Sequence, residues 1–362
     1  MPKGVMWRQE DVFYALGGGI DAYSGEPVAS EYTLSEKAAA SAAPLVTLCI
    51  PPLMHGAAQW GTLRFLFEGN TVVLVPRFDP EVIWAEIART KVQTLTITGD
   101  AMGRPLIETI DAHPDRWETS SLFVIASSAA VFSPTVKDRF RARFPDALIV
   151  DAIGSSETGH NGLATSDDTD KPREGLGVTV KGYEGSVVLD DDLKPVVPGS
   201  GVVGRLARGG HIPVGYYKDE VKTAETFVIA ADGQRYAIPG DFARVEADGT
   251  ITLLGRGSVS INTGGEKVFA ENVEQVLVDH PAVADAVVGG VADDRWGERV
   301  TALVALRRGA TVDIDELVAH CRDHLAGYKV PRSITIVDEI RRHHTGKLNR
   351  DWAATTMSQS AH

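Results

Sequence analysis

Cysteine is nearly absent from the 362 residues: Cys49 lies in an apolar strand-like run and Cys321 on the apolar side of a helical stripe. Neither has metal-ligand spacing to the other, so both read as core thiols in a reducing compartment. Long apolar runs are missing too. No window approaches the roughly 18 uninterrupted apolar residues of a spanning helix, and the opening MPKGVMWRQED lacks a signal-peptide core. Positive charge is in deficit, with 36 Lys and Arg against 49 Asp and Glu and a net charge of −13. Nucleic acid and anionic membrane would both be repelled as main partners, while a local basic pocket for a phosphorylated ligand remains compatible with that balance. These absences predict a cytoplasmic protein with no integral membrane segment; peripheral contact with a membrane is the other placement they allow.

The remainder is ordinary globular composition, 43% hydrophobic and 23% charged, in a length suited to two or three domains. Five runs dense in β-branched and apolar residues occur between 45 and 151: LVTLCI, TVVLV, TLTIT, LFVIA and ALIVD. They read as strands buried on both faces. Helical patterns separate them, two with legible starts at Asp79-Pro80 and Ser133-Pro134. Strands alternating with helices predict a mostly parallel α/β layer over residues 1–160. Residues 161–257 are rich in Gly, Asp and short alternating runs such as GSVVL and TITLLG, which predict antiparallel hairpins and a small β-barrel. From 258 to 354 the pattern resets to a small α+β domain, with helices near 271–279 and 314–325 and strands AVVGGV, VTALVAL and SITIV. The tail, 355–362, reads as frayed.

Four segments carry candidate chemistry. GSSETG (154–159) follows the strand ALIVD. A hydroxyl-rich turn there puts N–H groups where a phosphate can sit, and Glu157 offers a hard oxygen suited to Mg²⁺. YAIPGD (236–241) ends in a carboxylate able to accept both hydroxyls of a ribose, and Arg256 can bind a phosphate or carboxylate through its fork. The Gly-Gly pair in GRGSVSINTGGEK (255–267) permits close approach of a ligand. Finally, TGKLNR (345–350) holds a lysine on a glycine-flanked loop. Each alone has a plain structural explanation.

In this order, with PPLMHG (51–56) and PKG (2–4) upstream, these segments resemble the adenylate-forming superfamily of acyl-CoA synthetases, luciferases and peptide-synthetase adenylation domains. The resemblance runs from Pro2 to about Trp352. MPKGVMWR, DAIGSSETG and GRGSVSINTGGEKVF are most similar to actinobacterial fatty-acyl and steroid-side-chain acyl-CoA synthetases. It implies an acid–thiol ligase: a carboxylate attacks the α-phosphate of ATP, and CoA then displaces AMP. It further implies that Lys347 stabilises charge at the α-phosphate and carboxylate, with Glu157 binding Mg²⁺. Gly154, Ser155, Ser156 and Lys3 would meet the nucleotide phosphates, Asp241 the ribose, and Arg256 the ribose or phosphate. Gly264 and Gly265 would border the pantetheine tunnel, and His55, Ser127 and Ala129 the acyl pocket. ATP, Mg²⁺, CoA and a small carboxylic acid are the implied cofactors and partners; oligomeric state is not indicated.

The chain departs from the family pattern at three places. Ser258 stands at the hinge between the two domains, where many relatives carry Asp or Lys. Ile153 replaces an aromatic that usually stacks on adenine. The family's Ser/Thr/Gly-rich phosphate loop precedes Pro-Lys-Gly, yet here the chain begins at Met1-Pro2-Lys3-Gly4. The expectation is therefore an N-terminally truncated large domain (1–257), exposed apolar surface and impaired adenylation. PLMHGAAQWG and SSAA (127–130) are uncharged, which favours a fatty or steroid acid over an amino acid. A coumarate-like aryl-CoA ligase is the alternative, and an inactive fragment is the non-enzymatic one.

Overall fold

The protein is described from a computed structural model over residues 4–20, 26–41, 43–165, 178–256, 260–342 and 348–359, with the Arg256 side chain left out. Contacts divide the chain into two compact units. Among described residues, the first holds the chain up to Thr252 except Gly240–Phe242; those three residues and the chain from Leu253 onward form the second.

Unit one opens with β1 (Val5–Met6), α1 (Gln9–Leu16) and α2 (Thr33–Ala40). An alternating series follows: β2 (Val46–Cys49), α3 (Gly56–Phe67), β3 (Thr71–Val73), α4 (Pro80–Thr90), β4 (Thr94–Ile97), α5 (Gly99–Ala112), β5 (Val124–Ser128), α6 (Pro134–Arg143) and β6 (Leu148–Ser155). All five apolar runs form strands, paired in parallel in the order β3-β2-β4-β5-β6. Both Pro-started helices are capped as expected. Asp79 accepts from the Glu81 and Val82 amides, and Ser133 from that of Val136. The core between sheet and helices holds Leu48, Ile83, Trp84, Leu95, Ile107, Ile125 and Phe140. At the β3 edge, Leu66, Phe67 and Leu74 stand about half exposed.

At β6 the sheet changes direction. β7 (Gly159–Thr165) runs antiparallel to β6, followed by β8 (Thr179–Gly182), β9 (Ser186–Leu189), β10 (Val203–Arg208), β11 (Gly215–Tyr216), α7 (Glu220–Thr226), β12 (Phe227–Ile229), β13 (Arg235–Ala237), β14 (Asp241–Val245) and β15 (Ile251–Arg256). The antiparallel hairpins expected here are present, β9 with β10 and β12 with β13 among them. The strands continue one hydrogen-bonded path, β12-β13-β10-β14-β15-β8-β7-β6, because β7 and β8 pass the ladder on from the parallel half. No closing pair joins the ends of that path among the described residues.

Unit two is α+β, as expected. It comprises β16 (Ser260–Thr263), β17 (Glu266–Phe269), α8 (Ala270–Asp279), β18 (Val283–Asp293), β19 (Gly297–Leu306), α9 (Ile314–His324), β20 (Ser333–Val337) and α10 (Arg350–Gln359). Alternation along β18 and β19 sends Val288, Ala302 and Val304 toward α8 and α9, and Val287, Leu303 and Ala305 toward α10. The tail read as frayed is helical to Gln359, since Ala353 and Met357, four apart, seat on that second face. Phe242 belongs with this unit because its ring lies 5.7 Å from that of Phe269 and 4.2 Å from Lys267 Nζ. Both cysteines are buried free thiols, and burial pushes Cys321 up to about 11.

Beneath the β6 strand, Lys137 on α6 donates to Asp151, both almost fully buried. Burial raises the Asp151 pKa despite the pull of the ammonium. Asp151→Asn strands that ammonium without a counter-charge and is expected to cost about 3–5 kcal/mol, read from urea midpoints. Replacing both residues, Lys137→Met with Asp151→Leu, is expected to restore most of the loss.

Candidate active site

The carboxyl ends of β2, β4, β5 and β6 share one edge of the parallel sheet, where ligands of open α/β sheets bind. His55, Ser127, Ala129 and Gly154–Glu157 all stand at that edge. The turn between β6 and β7 is tightly built. A Cβ on Gly154 would lie 2.3 Å from the Gly159 carbonyl, and Gly159 takes φ +68 with Ala15 packed against it. The Ser155 amide donates to Thr158 Oγ1 (3.1 Å), and Ser155 Oγ receives the Glu157 amide (3.2 Å). The Ser155 hydroxyl therefore shapes the turn, leaving Ser156 exposed at its tip.

Two residues that the sequence did not single out complete this turn. Trp7 Nε1 donates to the Ser156 carbonyl (3.0 Å), and the Tyr216 hydroxyl donates to Glu157 Oε1 (2.7 Å). Both arrive through a two-residue antiparallel pairing, Val5 with Tyr216 and Met6 with Gly215. Burial, then the hydrogen bond to Glu157, pushes the Tyr216 phenol well above its ordinary range. Asp11 on α1 holds the neighbouring loop. It is bonded by Arg8 (2.5 and 3.0 Å) and by His211 Nδ1 (3.0 Å), with Tyr14 stacked on the imidazole. An aromatic with a polar tip usually finds a partner when buried, and the run GYY after a glycine-rich stretch is the one hint the sequence offers.

His55 is the N-cap residue of the 12-residue α3, whose first turn approaches the candidate turn: a Cβ on Gly56 would lie 3.3 Å from Ser156 Oγ. The positive end of a helix thus faces an exposed hydroxyl, an arrangement that favours an anion. Ser127, in contrast, is 2% exposed and its Oγ accepts the Gly99 amide (3.0 Å). That hydroxyl secures the start of α5 and is not offered to a ligand. Ala129 follows in the left-handed region at φ +65, exposed at the end of β5, a strained position for a residue with a Cβ. Ile153 is 7% exposed, so it presents little surface to a base.

The other expected residues fall in unit two or outside the described residues. Asp241 opens β14 after Gly240 at φ +105, and Arg256 closes β15. Gly264 and Gly265, at φ +60 and +87, form the two-residue turn of the β16–β17 hairpin, the primed geometry that needs glycine. Gly264 is packed, with its amide on the Trp296 carbonyl (2.8 Å) and the indole 2.9 Å from where a Cβ would stand; Gly265 faces open space. Lys3, Ser258 and Lys347 lie outside the described residues.

For Mg²⁺, no cluster of three or more His, Cys, Asp or Glu side chains capable of holding a metal occurs among the described residues. A single carboxylate, Glu157, with one oxygen tied to Tyr216, fits an ion that is bound by one or two carboxylates together with substrate phosphates.

An alternating parallel sheet with a glycine-pinned, hydroxyl-bearing turn at its ligand edge, continued by a small α+β unit, defines an adenylate-forming fold. The AMP-binding enzyme profile matches residues 1–217 and the AMP-binding enzyme C-terminal domain profile matches 272–347, so the chain belongs to the AMP-binding enzyme family. It is 52% identical over 356 residues to a 3-oxocholest-4-en-26-oate–CoA ligase of Rhodococcus rhodochrous, covering 97% of this chain and 63% of that protein. With a medium/long-chain-fatty-acid–CoA/3-oxocholest-4-en-26-oate–CoA ligase of Mycolicibacterium smegmatis the identity is 51%, covering 97% and 64%. The chain thus spans less than two thirds of the length of these curated relatives. Among solved structures, the amide bond synthetase McbA of Marinactinospora thermotolerans superposes with a TM-score of 0.80 at 25% identity, covering 98% of this chain and 68% of that one. No helix among the described residues is long and apolar enough to cross a membrane.

Two consequences can be measured. Tyr216→Phe removes a donor from Glu157 and is expected to lower stability by about 1–3 kcal/mol in chemical denaturation. Alanine at Gly264 or Gly265 meets a left-handed backbone costing roughly 1–2 kcal/mol. Gly264→Ala must also displace Trp296, so it is expected to melt below Gly265→Ala.

Proposed function

We propose that this chain carries the adenylation and thioester-forming residues of an ATP-dependent acyl-CoA synthetase acting on a fatty or steroid side-chain acid. The observation that carries the reading is the Glu157 turn. It sets one buttressed carboxylate beside an exposed hydroxyl that faces the first turn of α3, at the ligand edge of the sheet. In this reading the helix terminus and Ser156 hold nucleotide phosphate, and Glu157 supplies one oxygen to Mg²⁺, which neutralises phosphate charge when bound. Asp241 accepts the ribose hydroxyls and Arg256 binds beside them. Lys347 stabilises charge as the acid's carboxylate attacks the α-phosphate and pyrophosphate departs; the CoA thiol then attacks the acyl carbonyl and AMP leaves. Gly265, free of neighbours on its outer side, is the surface along which pantetheine would pass. The uncharged runs PLMHGAAQWG and SSAA favour an apolar acid, and the two curated relatives above are named for fatty and cholestenoic acids.

The test is calorimetric titration of the chain with non-hydrolysable acyl-adenylate analogues bearing octanoyl, palmitoyl, cholestenoyl and coumaroyl groups. Palmitoyl or cholestenoyl is expected to bind at least tenfold tighter than coumaroyl, about 1.4 kcal/mol. Asp241→Ala is expected to weaken every analogue by a similar factor. Equal affinity for all four, or indifference to Asp241→Ala, would defeat the proposal.

A further inference from the structure

A second polar recess lies in unit one, apart from the Glu157 turn. It is lined chiefly by Tyr14, Leu16, Arg64, His160, Tyr183 and Arg208 and is open to solvent at its mouth. His160 lies three residues beyond Glu157, so the backbones of the two residues are within roughly 11 Å of each other.

Its charges do not balance. Arg64 is already paired, its Nε on Glu68 Oε1 at 2.8 Å. Arg208, at the end of β10, is 3% exposed, and its guanidinium is bonded through Nη1 to Ser186 Oγ (3.0 Å) while Nε has no partner. No carboxylate forms an ion pair with it among the described residues. Glu184, a carboxylate that acts on it, is exposed on the turn before β9. A buried guanidinium without a counter-ion is costly, since burial charges are normally paired. Burial indeed lowers the Arg208 pKa, and burial with Arg64 and Arg208 nearby drives His160 down to about 4, so the imidazole stays neutral. The walls therefore offer one uncompensated guanidinium, a neutral imidazole and the Tyr183 hydroxyl around an open space.

We propose that this recess binds a small oxyanion, a carboxylate or phosphate group, with Arg208 as its counter-charge. Such a group would complete the guanidinium's ion pairing with the fork geometry that arginine presents to carboxylate and phosphate. Free anions and the far end of a longer acid both present this group, and the two sources separate experimentally.

Thermal unfolding and calorimetric titration of the whole chain would use acetate and inorganic phosphate against chloride at matched ionic strength. A second arm would compare dodecanedioate with dodecanoate. A saturable, oxyanion-specific rise in Tm, weakened at least tenfold by Arg208→Gln, assigns the recess to free anions. Preference for dodecanedioate over dodecanoate, lost in the same variant, assigns it to the distal carboxylate of an acid. Arg208→Lys, which keeps the charge and loses the fork, is expected to bind either ligand more weakly than wild type and serves if Arg208→Gln does not fold. Equal responses to acetate, phosphate and chloride with no dodecanedioate preference would overturn the assignment. So would binding unchanged in both variants.

Discussion

Where β6 ends, the chain must turn back on itself within three residues and pair antiparallel with the strand it has just left. That reversal has no room for a side chain at its two glycines: a Cβ on Gly154 would meet the Gly159 carbonyl, and Gly159 itself is held left-handed against Ala15. The remaining groups at the turn depend on this constraint. With the backbone fixed, the Ser155 and Thr158 hydroxyls absorb the turn's own donors. Ser156 and Glu157 are then left to point outward. The same reversal hands the ladder from the parallel strands to the antiparallel ones, which explains why the β-rich region extends the sheet.

Much of this architecture was legible because it is written in local pattern. Buried parallel strands need β-branched and apolar runs, and all five appear within a few residues of their observed bounds. Asp79 and Ser133 announce their helices through the chemistry of capping. The site was legible only in part. Trp7 and Tyr216 are about two hundred residues apart in sequence and meet the turn through a strand pair too short to leave a periodic trace. Ser127 and Ser155 look like ligand hydroxyls in sequence, yet each satisfies a nearby backbone N–H. The closing helix was hidden because Ala353 and Met357 are a sparse apolar stripe, meaningful only against the sheet that receives them.

Polar satisfaction also separates the two halves of the chemistry in unit one. Around Glu157, each strong group has a neighbour: phenol on carboxylate, indole on carbonyl, Asp11 between Arg8 and His211. Such a network stiffens the loops that carry it. Arg208 is the contrasting case, a buried cation whose bonding is incomplete.

The Gly240–Phe242 segment gives the chain a further property. These residues group with the α+β unit through Phe242, Phe269 and Lys267, although Ala243–Thr252 return to the first unit. The chain therefore crosses between the two bodies more than once. Recombination at a single junction near residue 253 would graft a foreign α+β unit while leaving the resident Phe242 ring to a strange partner surface. A chimaera that keeps the Phe242–Phe269 contact native has to exchange the short β14 entry together with the C-terminal body.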